Sequence, residues 1–200
     1  MTYPVSVNIV RPPQQSRVTT FPLCIGMLIR CILVIPHFVV LYLFQIVMVF
    51  IYFVATFAIL FTGRFPGEMF EIVVGYFRWL TNVQGYVLQL YDTYPPFATS
   101  PQDYPLSVTV AHPDASSRLL NFPVLGFIIK LLVLIPHFLI LGVLGVVAFV
   151  MVFVAGFAIL FTGSFPEGMH KFVSDTVRWG FRVSAYLYAL TDRYPPFSFD

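Results

Sequence analysis

Hydrophobic and polar positions alternate from Tyr3 to Ile9, with Val5, Val7 and Ile9 on one side and Ser6 and Asn8 on the other. This predicts a short strand with one wet face. The next segment, 21–35, is apolar except for Arg30. As a helix it rises about 22 Å, short of the roughly 30 Å hydrocarbon core, so it predicts an interfacial or tilted, partly inserted helix. Residues 37–61 carry no formal charge and form the surest spanning element. Thr62-Gly63 ends it with a glycine suited to a left-handed cap, and Pro66 with Glu68 opens the next helix. That third segment, 66–91, is apolar with a narrow unlike stripe: Glu71, Gly75, Arg78, Asn82, Gly85 and Gln89 recur at spacings of 4 and 3 on one helical face. The segment then runs into Tyr94-Pro95-Pro96-Phe97, where two prolines force an extended backbone. Strand and tail are expected to pack together as a small cap outside the bilayer.

The same pattern returns in the second half of the chain. Tyr3-Pro4-Val5-Ser6-Val7 reappears as Tyr104-Pro105-Leu106-Ser107-Val108, and Arg17 as Arg118. Beyond one deletion the offset is 100: Ile35-Pro36-His37-Phe38 becomes Ile135-Pro136-His137-Phe138, and Phe53 to Gly63 matches Phe153 to Gly163 except at Thr56 and Gly156. From residue 30 to 97 there are about 30 identities in 68 positions. The chain is therefore two copies of one module, 1–100 and 101–200. In the second copy the stripe reads Lys171, Asp175, Arg178, Arg182, Ala185 and Ala189.

The order Y-P-V, R, I-P-H-F, A-I-L-F-T-G-x-F-P, R-W, D-x-Y-P-P-F resembles the bacterial membrane module known as domain of unknown function 4389. The resemblance covers nearly all of both halves. It implies a small membrane protein and supplies no reaction, cofactor or catalytic residue.

Composition strengthens the membrane reading. Of 200 residues 58% are hydrophobic and 10% charged, with a mean hydropathy of +0.86; soluble domains carry roughly 25% charged residues. So few charges cannot cover a 200-residue globule. The net charge of +2 and the lack of a basic run exclude a nucleic-acid partner. No secretory h-region precedes the first apolar segment, so insertion is expected to use internal spans. The expected fold is an all-α integral membrane protein, each module holding about two transmembrane helices and one interfacial amphipathic helix, with short extramembrane strands. Either the second and third segments cross while the first lies at the surface, or the first two form a hairpin bent at Pro36 and the third lies flat. Both give two crossings per module, which makes the copies parallel about an axis along the membrane normal. In the first arrangement Arg11, Arg17, Arg30, Arg118, Lys130 and Arg193 share one side, predicting cytoplasmic termini in a bacterial inner membrane.

Candidate chemistry is sparse. His37 and His137 stand at equivalent positions and offer two imidazoles to a haem or a metal; the plainer alternative is a histidine after a proline, satisfying carbonyls freed by the kink. His112 and His170 have no counterparts and read as surface residues. Arg78-Trp79 and Arg178-Trp179 could hold lipid phosphates, or anchor the chain at the interface around an ion pair of Arg78 with Glu71 or an acid of the other half. Asp92 and Asp192 read as helix-end residues. Cys24 and Cys31, seven residues apart, are beyond disulfide reach. Gly142, Gly145 and Gly156 suit close helix approach. No catalytic constellation is present, and the expected function is a non-enzymatic membrane scaffold or accessory subunit, packing against the bilayer, other integral membrane subunits or itself. A haem carrier using His37 and His137, and a lipid-binding or transport protein using the polar stripe, are the alternatives.

Overall fold

The computed structural model describes residues 3–20 and 25–199. Each copy contributes one strand and three helices: β1 (Val5–Ile9), α1 (Ile25–Leu33), α2 (Ile35–Thr62) and α3 (Gly67–Val87), then β2 (Leu106–Val110), α4 (Leu125–Val133), α5 (Ile135–Thr162) and α6 (Glu167–Leu187). The predicted segments are recognisable in this order. Cys24 and the start of the first apolar segment lie outside the described residues; Cys31 is free.

Local chemistry sets the boundaries. Pro36 sits in the first turn of α2, where its missing N–H costs nothing, and Gly63 closes that helix at φ 75°, its N–H bonded to Ile59 O at 2.8 Å. Gly163 does the same for α5. A single residue, Val34 or Leu134, separates the short helix from the long one, so each pair forms an elbow.

Contacts between the copies define the architecture. β1 pairs antiparallel with β2, Val7 opposite Val108, so each strand finds its partner in the other module. The sheet buries Val5, Val7, Ile9, Leu106 and Val108 and leaves Ser6, Asn8, Ser107 and Thr109 exposed. It lies across α3 and α6 at mid-length, since Arg178, halfway along α6, donates Nε to Val7 O at 2.8 Å. Those helices run antiparallel: Phe77 meets Phe181 near their middles, and His170 in the first turns of α6 donates Nε2 to Leu90 O just beyond the end of α3, at 3.1 Å. The copies are thus related by an axis perpendicular to α3 and α6, and their long helices point in opposite directions. This departs from the expectation of parallel bundles of crossings.

α3 presents three faces. The predicted stripe from Glu71 to Gly85 meets the sheet and the tail, whereas Gln89, expected on the same helical face, lies beyond the helix at φ 60°; Phe77 faces α6, and Tyr76 and Trp79 face α2, where Tyr76 Oη donates to Gln45. The protein is therefore tiered, with the sheet above, α3 and α6 in the middle, and α2 and α5 with α1 and α4 below. Among the described residues two helices, α2 and α5, are long and apolar enough to cross a membrane, one per module rather than two. α3 is 21 residues long but is enclosed by protein. The outward sides of α2 and α5 expose Phe50, Phe53, Phe61, Leu139, Val143, Phe149 and Phe161 among many others. Among the described residues nothing lies within 4 Å of a Cβ placed on Gly142 or Gly145, so neither is a site of close helix approach there.

Candidate functional site

The polar residues shared by both copies converge on the elbows. Arg30 is fully buried. Its Nη1 donates to Tyr86 O at 2.9 Å and Tyr91 O at 2.5 Å, its Nε donates to Thr19 O at 3.1 Å, and its guanidinium lies 4.7 Å over the Tyr86 ring. It also pairs with Asp92, whose other oxygen accepts Ser16 N–H at 2.5 Å. One buried cation thus joins the N-terminal arm, α1, the end of α3 and the start of the tail. A buried charge is tolerable when it is both paired and hydrogen-bonded, and Arg30 is. The second copy reaches the same end differently. Lys130 is shorter, so its Nζ donates to Asn121 Oδ1 at 2.5 Å, and the Asn121 amide donates to Asp192 Oδ1 at 2.8 Å. Burial pulls the Lys130 pKa down to about 8, with Asp192 opposing the shift.

The histidines lie beside these elbows. His37 is fully buried; its Nδ1 accepts the Trp79 indole N–H at 2.8 Å, and its ring stacks on Phe97 with centroids 3.7 Å apart. His137 repeats this with Trp179 at 2.9 Å and Phe197 at 3.9 Å. The indole can only donate, so Nδ1 must be the acceptor and the neutral ring carries its proton on Nε2. A metal-binding imidazole has the reverse arrangement, with a free lone pair facing the metal and the other N–H given to an acceptor. The two histidines therefore do not fit a haem or a metal. Nor do they satisfy the carbonyls near Pro36: Tyr94 Oη donates to Leu33 O at 2.8 Å and Tyr194 Oη to Val133 O at 3.1 Å. The Tyr-Pro-Pro-Phe string is a clamp, its tyrosine capping the elbow carbonyl and its phenylalanine covering the histidine.

The Arg-Trp pairs divide between two faces. Trp79 and Trp179 are buried with their N–H groups committed to the histidines, so they are not interfacial anchors. Arg78 and Arg178 point instead toward the sheet and tail. Arg178 pairs with Asp175, which also binds Lys171 at 2.6 Å. Among the described residues Arg78 has neither of its expected acid partners: its Nη1 donates to Thr99 O at 2.5 Å and its Nε has no partner. Burial lowers its pKa, and Glu71 opposes the shift without touching it. His170, expected at the surface, is buried, and its pKa is lowered by that burial.

The arms form contacts that sequence reasoning missed. Gln15 N–H donates to Gly163 O and Ser116 N–H to Gly63 O, both at 2.8 Å, so each arm caps the long helix of the other copy. Arg118 Nη2 adds a bond to Phe61 O at 3.4 Å at the negative end of α2. Arg11 donates to Phe165 O at 2.8 Å and 3.0 Å, and His112 Nε2 to Phe65 O at 3.1 Å. The recurrence of Tyr-Pro and Arg before each apolar segment was the available signal.

No curated protein and no solved structure matches the chain. A family model described as a domain of unknown function (DUF4389) matches twice, over residues 25–99 and 125–198, so both matches take in the elbow, the long helix, the third helix and the clamp and leave out the crossing arms. The chain belongs to the DUF4389 family, in two tandem copies.

Proposed function

We propose that the protein is a non-enzymatic membrane scaffold whose lower tier is sunk in one leaflet, with the axis relating its copies along the membrane normal and the sheet in water. The observation that carries this reading is the placement of the sheet over the middle of α3 and α6. Were the helices upright, exposed Ser6, Asn8, Ser107 and Thr109 would sit at mid-bilayer depth, where unpaired polar groups are costly. Laid flat, α2 and α5 offer their uncharged outer surface to lipid and the polar face stays wet. The scaffold role is supported by how the recurring polar side chains are used. The Arg30 and Lys130 networks, the His-Trp pairs and the clamps all hold one element of this chain to another. The basic arms, with Arg11, Arg17 and Arg118, favour the cytoplasmic face of a bacterial inner membrane.

Cysteine labelling tests the orientation. In a chain with Cys24 and Cys31 replaced by Ala, Arg64→Cys and Asp103→Cys are both expected to react with a membrane-impermeant maleimide from the same side of sealed vesicles. Reaction from opposite sides would mean that α2 crosses the bilayer. The scaffold role is tested by purification in mild detergent, where a self-associated particle or a membrane partner at fixed stoichiometry is expected; a bare monomer would refute it.

A further inference from the structure

The equivalent arginines of the two copies differ in their counter-ions. Arg178 is paired with Asp175 and its Nε is bonded to Val7 O. Position 75 of the first copy is Gly, so Arg78 has no carboxylate on the preceding turn, although it is only 8% exposed. Thr99 of the tail occupies the space above Gly75, and a Cβ placed there would lie 3.0 Å from Thr99 O. Beside Arg78 is a cavity of about 280 Å³ between α3 and β2, lined by Glu71, Arg78, Asn82, Gln102, Ser107 and Thr109 among others. Two buried polar atoms of its lining have no partner among the described residues: Arg78 Nε, a donor, and Asn82 Oδ1, an acceptor on a side chain 3% exposed. Unsatisfied buried polar atoms are uncommon in native proteins, and this pair lies four residues apart on one helical face. The cavity is at the small end of the range for small-molecule sites.

We infer that this cavity binds a small carboxylate which also bears an O–H or N–H donor, such as a short hydroxy acid or amino acid. Thr99 O already holds Arg78 Nη1, where Asp175 holds Nη1 of Arg178, so the carboxylate bonds Arg78 Nε, the atom that Val7 O satisfies on Arg178, and the donor group satisfies Asn82 Oδ1. Glu71, exposed at the rim, disfavours more highly charged anions by repulsion. The two copies are thus specialised, the second carrying its anion covalently and the first acquiring one from solution.

Isothermal titration of the full-length protein in detergent with lactate, glycine, acetate and inorganic phosphate tests this. Lactate or glycine is expected to bind saturably at one site per chain, and acetate, lacking the donor, at least tenfold more weakly. Arg78→Gln is expected to abolish binding and Asn82→Ala to weaken lactate or glycine at least tenfold while leaving acetate unchanged. Arg178→Gln should leave the affinity as it was. Circular dichroism identifies a variant that has not folded, and the Asn82→Ala selectivity shift between lactate and acetate gives a readout that misfolding does not produce. No saturable carboxylate binding, binding of phosphate alone, or an affinity unaffected by a folded Arg78→Gln protein would overturn the assignment.

Discussion

At their elbows the two modules solve one problem with different residues. In the first, Arg30 reaches Asp92 directly, beside Thr20; in the second, Lys130 falls short and Asn121, at the position of Thr20, relays its contact to Asp192. The same exchange of bulk occurs at the end of the third helix. Gly85 leaves room for Tyr91, while Ala185 stands where the equivalent of Tyr91 is Thr191. The copies have therefore diverged by compensated pairs, keeping the junction while changing its parts. A buried guanidinium and a buried ammonium are also not equivalent physically, because only the ammonium can lose its proton within an accessible pH range.

That difference orders the expected effects. Asp92→Asn leaves Arg30 a buried charge without its carboxylate and should destabilise the protein by about 3 kcal/mol in denaturant unfolding. Asp192→Asn should cost about 1 kcal/mol, since Lys130 touches Asn121 and can be neutral. Equal losses would mean that the relay is as strong as the direct pair.

The second effect is one of pH. The Lys130 pKa lies at about 8 in the folded protein against 10.5 for an unperturbed lysine. Between these values the unfolded chain binds the extra proton, so the contribution of Lys130 to stability rises with pH across that window and is constant below it. The gain should amount to about 2–3 kcal/mol between pH 8 and 10.5, read as the difference between the wild type and Lys130→Met so that the tyrosines cancel. A flat difference would mean that the ammonium stays charged in its pocket. The last effect concerns the steric pair. Gly85→Ala brings a Cβ to 2.9 Å from Tyr91 Cζ and should cost about 2 kcal/mol by thermal unfolding, most of it recovered in Gly85→Ala/Tyr91→Thr. Failure of that rescue would mean that the two positions are not coupled.

The helices and most of their boundaries were legible in the sequence because they depend on local features: an apolar run without charge, proline in a first turn, glycine at a left-handed cap; the end of the third helix was not, since the apolar run continues to Tyr91 while the helix stops at Val87 and Gln89 turns to φ 60°. The duplication and the strands were legible for similar reasons. What the sequence left open depends on which face meets which neighbour. The stripe from Glu71 to Gly85 was recognisable as a face, yet spacing alone did not show that a sheet and a tail would cover it. Trp79 read as an anchor because tryptophan is common at interfaces, whereas its N–H is used inside the protein by His37. The antiparallel relation of the copies was hidden for the same reason, since strand pairing joins Val7 to Val108 and arm exchange joins Gln15 to Gly163 and Ser116 to Gly63, all far apart in sequence.

The pairing of β1 with β2 and the reciprocal caps on Gly63 and Gly163 have a consequence for assembly. Neither half is self-sufficient: severed near residue 100, each would keep a strand with no mate and a long-helix terminus whose cap belongs to the other piece. The surfaces left bare are complementary to a second copy of themselves in the manner of an isologous interface. A polypeptide holding only one such unit would meet these requirements as a symmetric homodimer, and joining two units end to end makes that dimerisation intramolecular and independent of concentration.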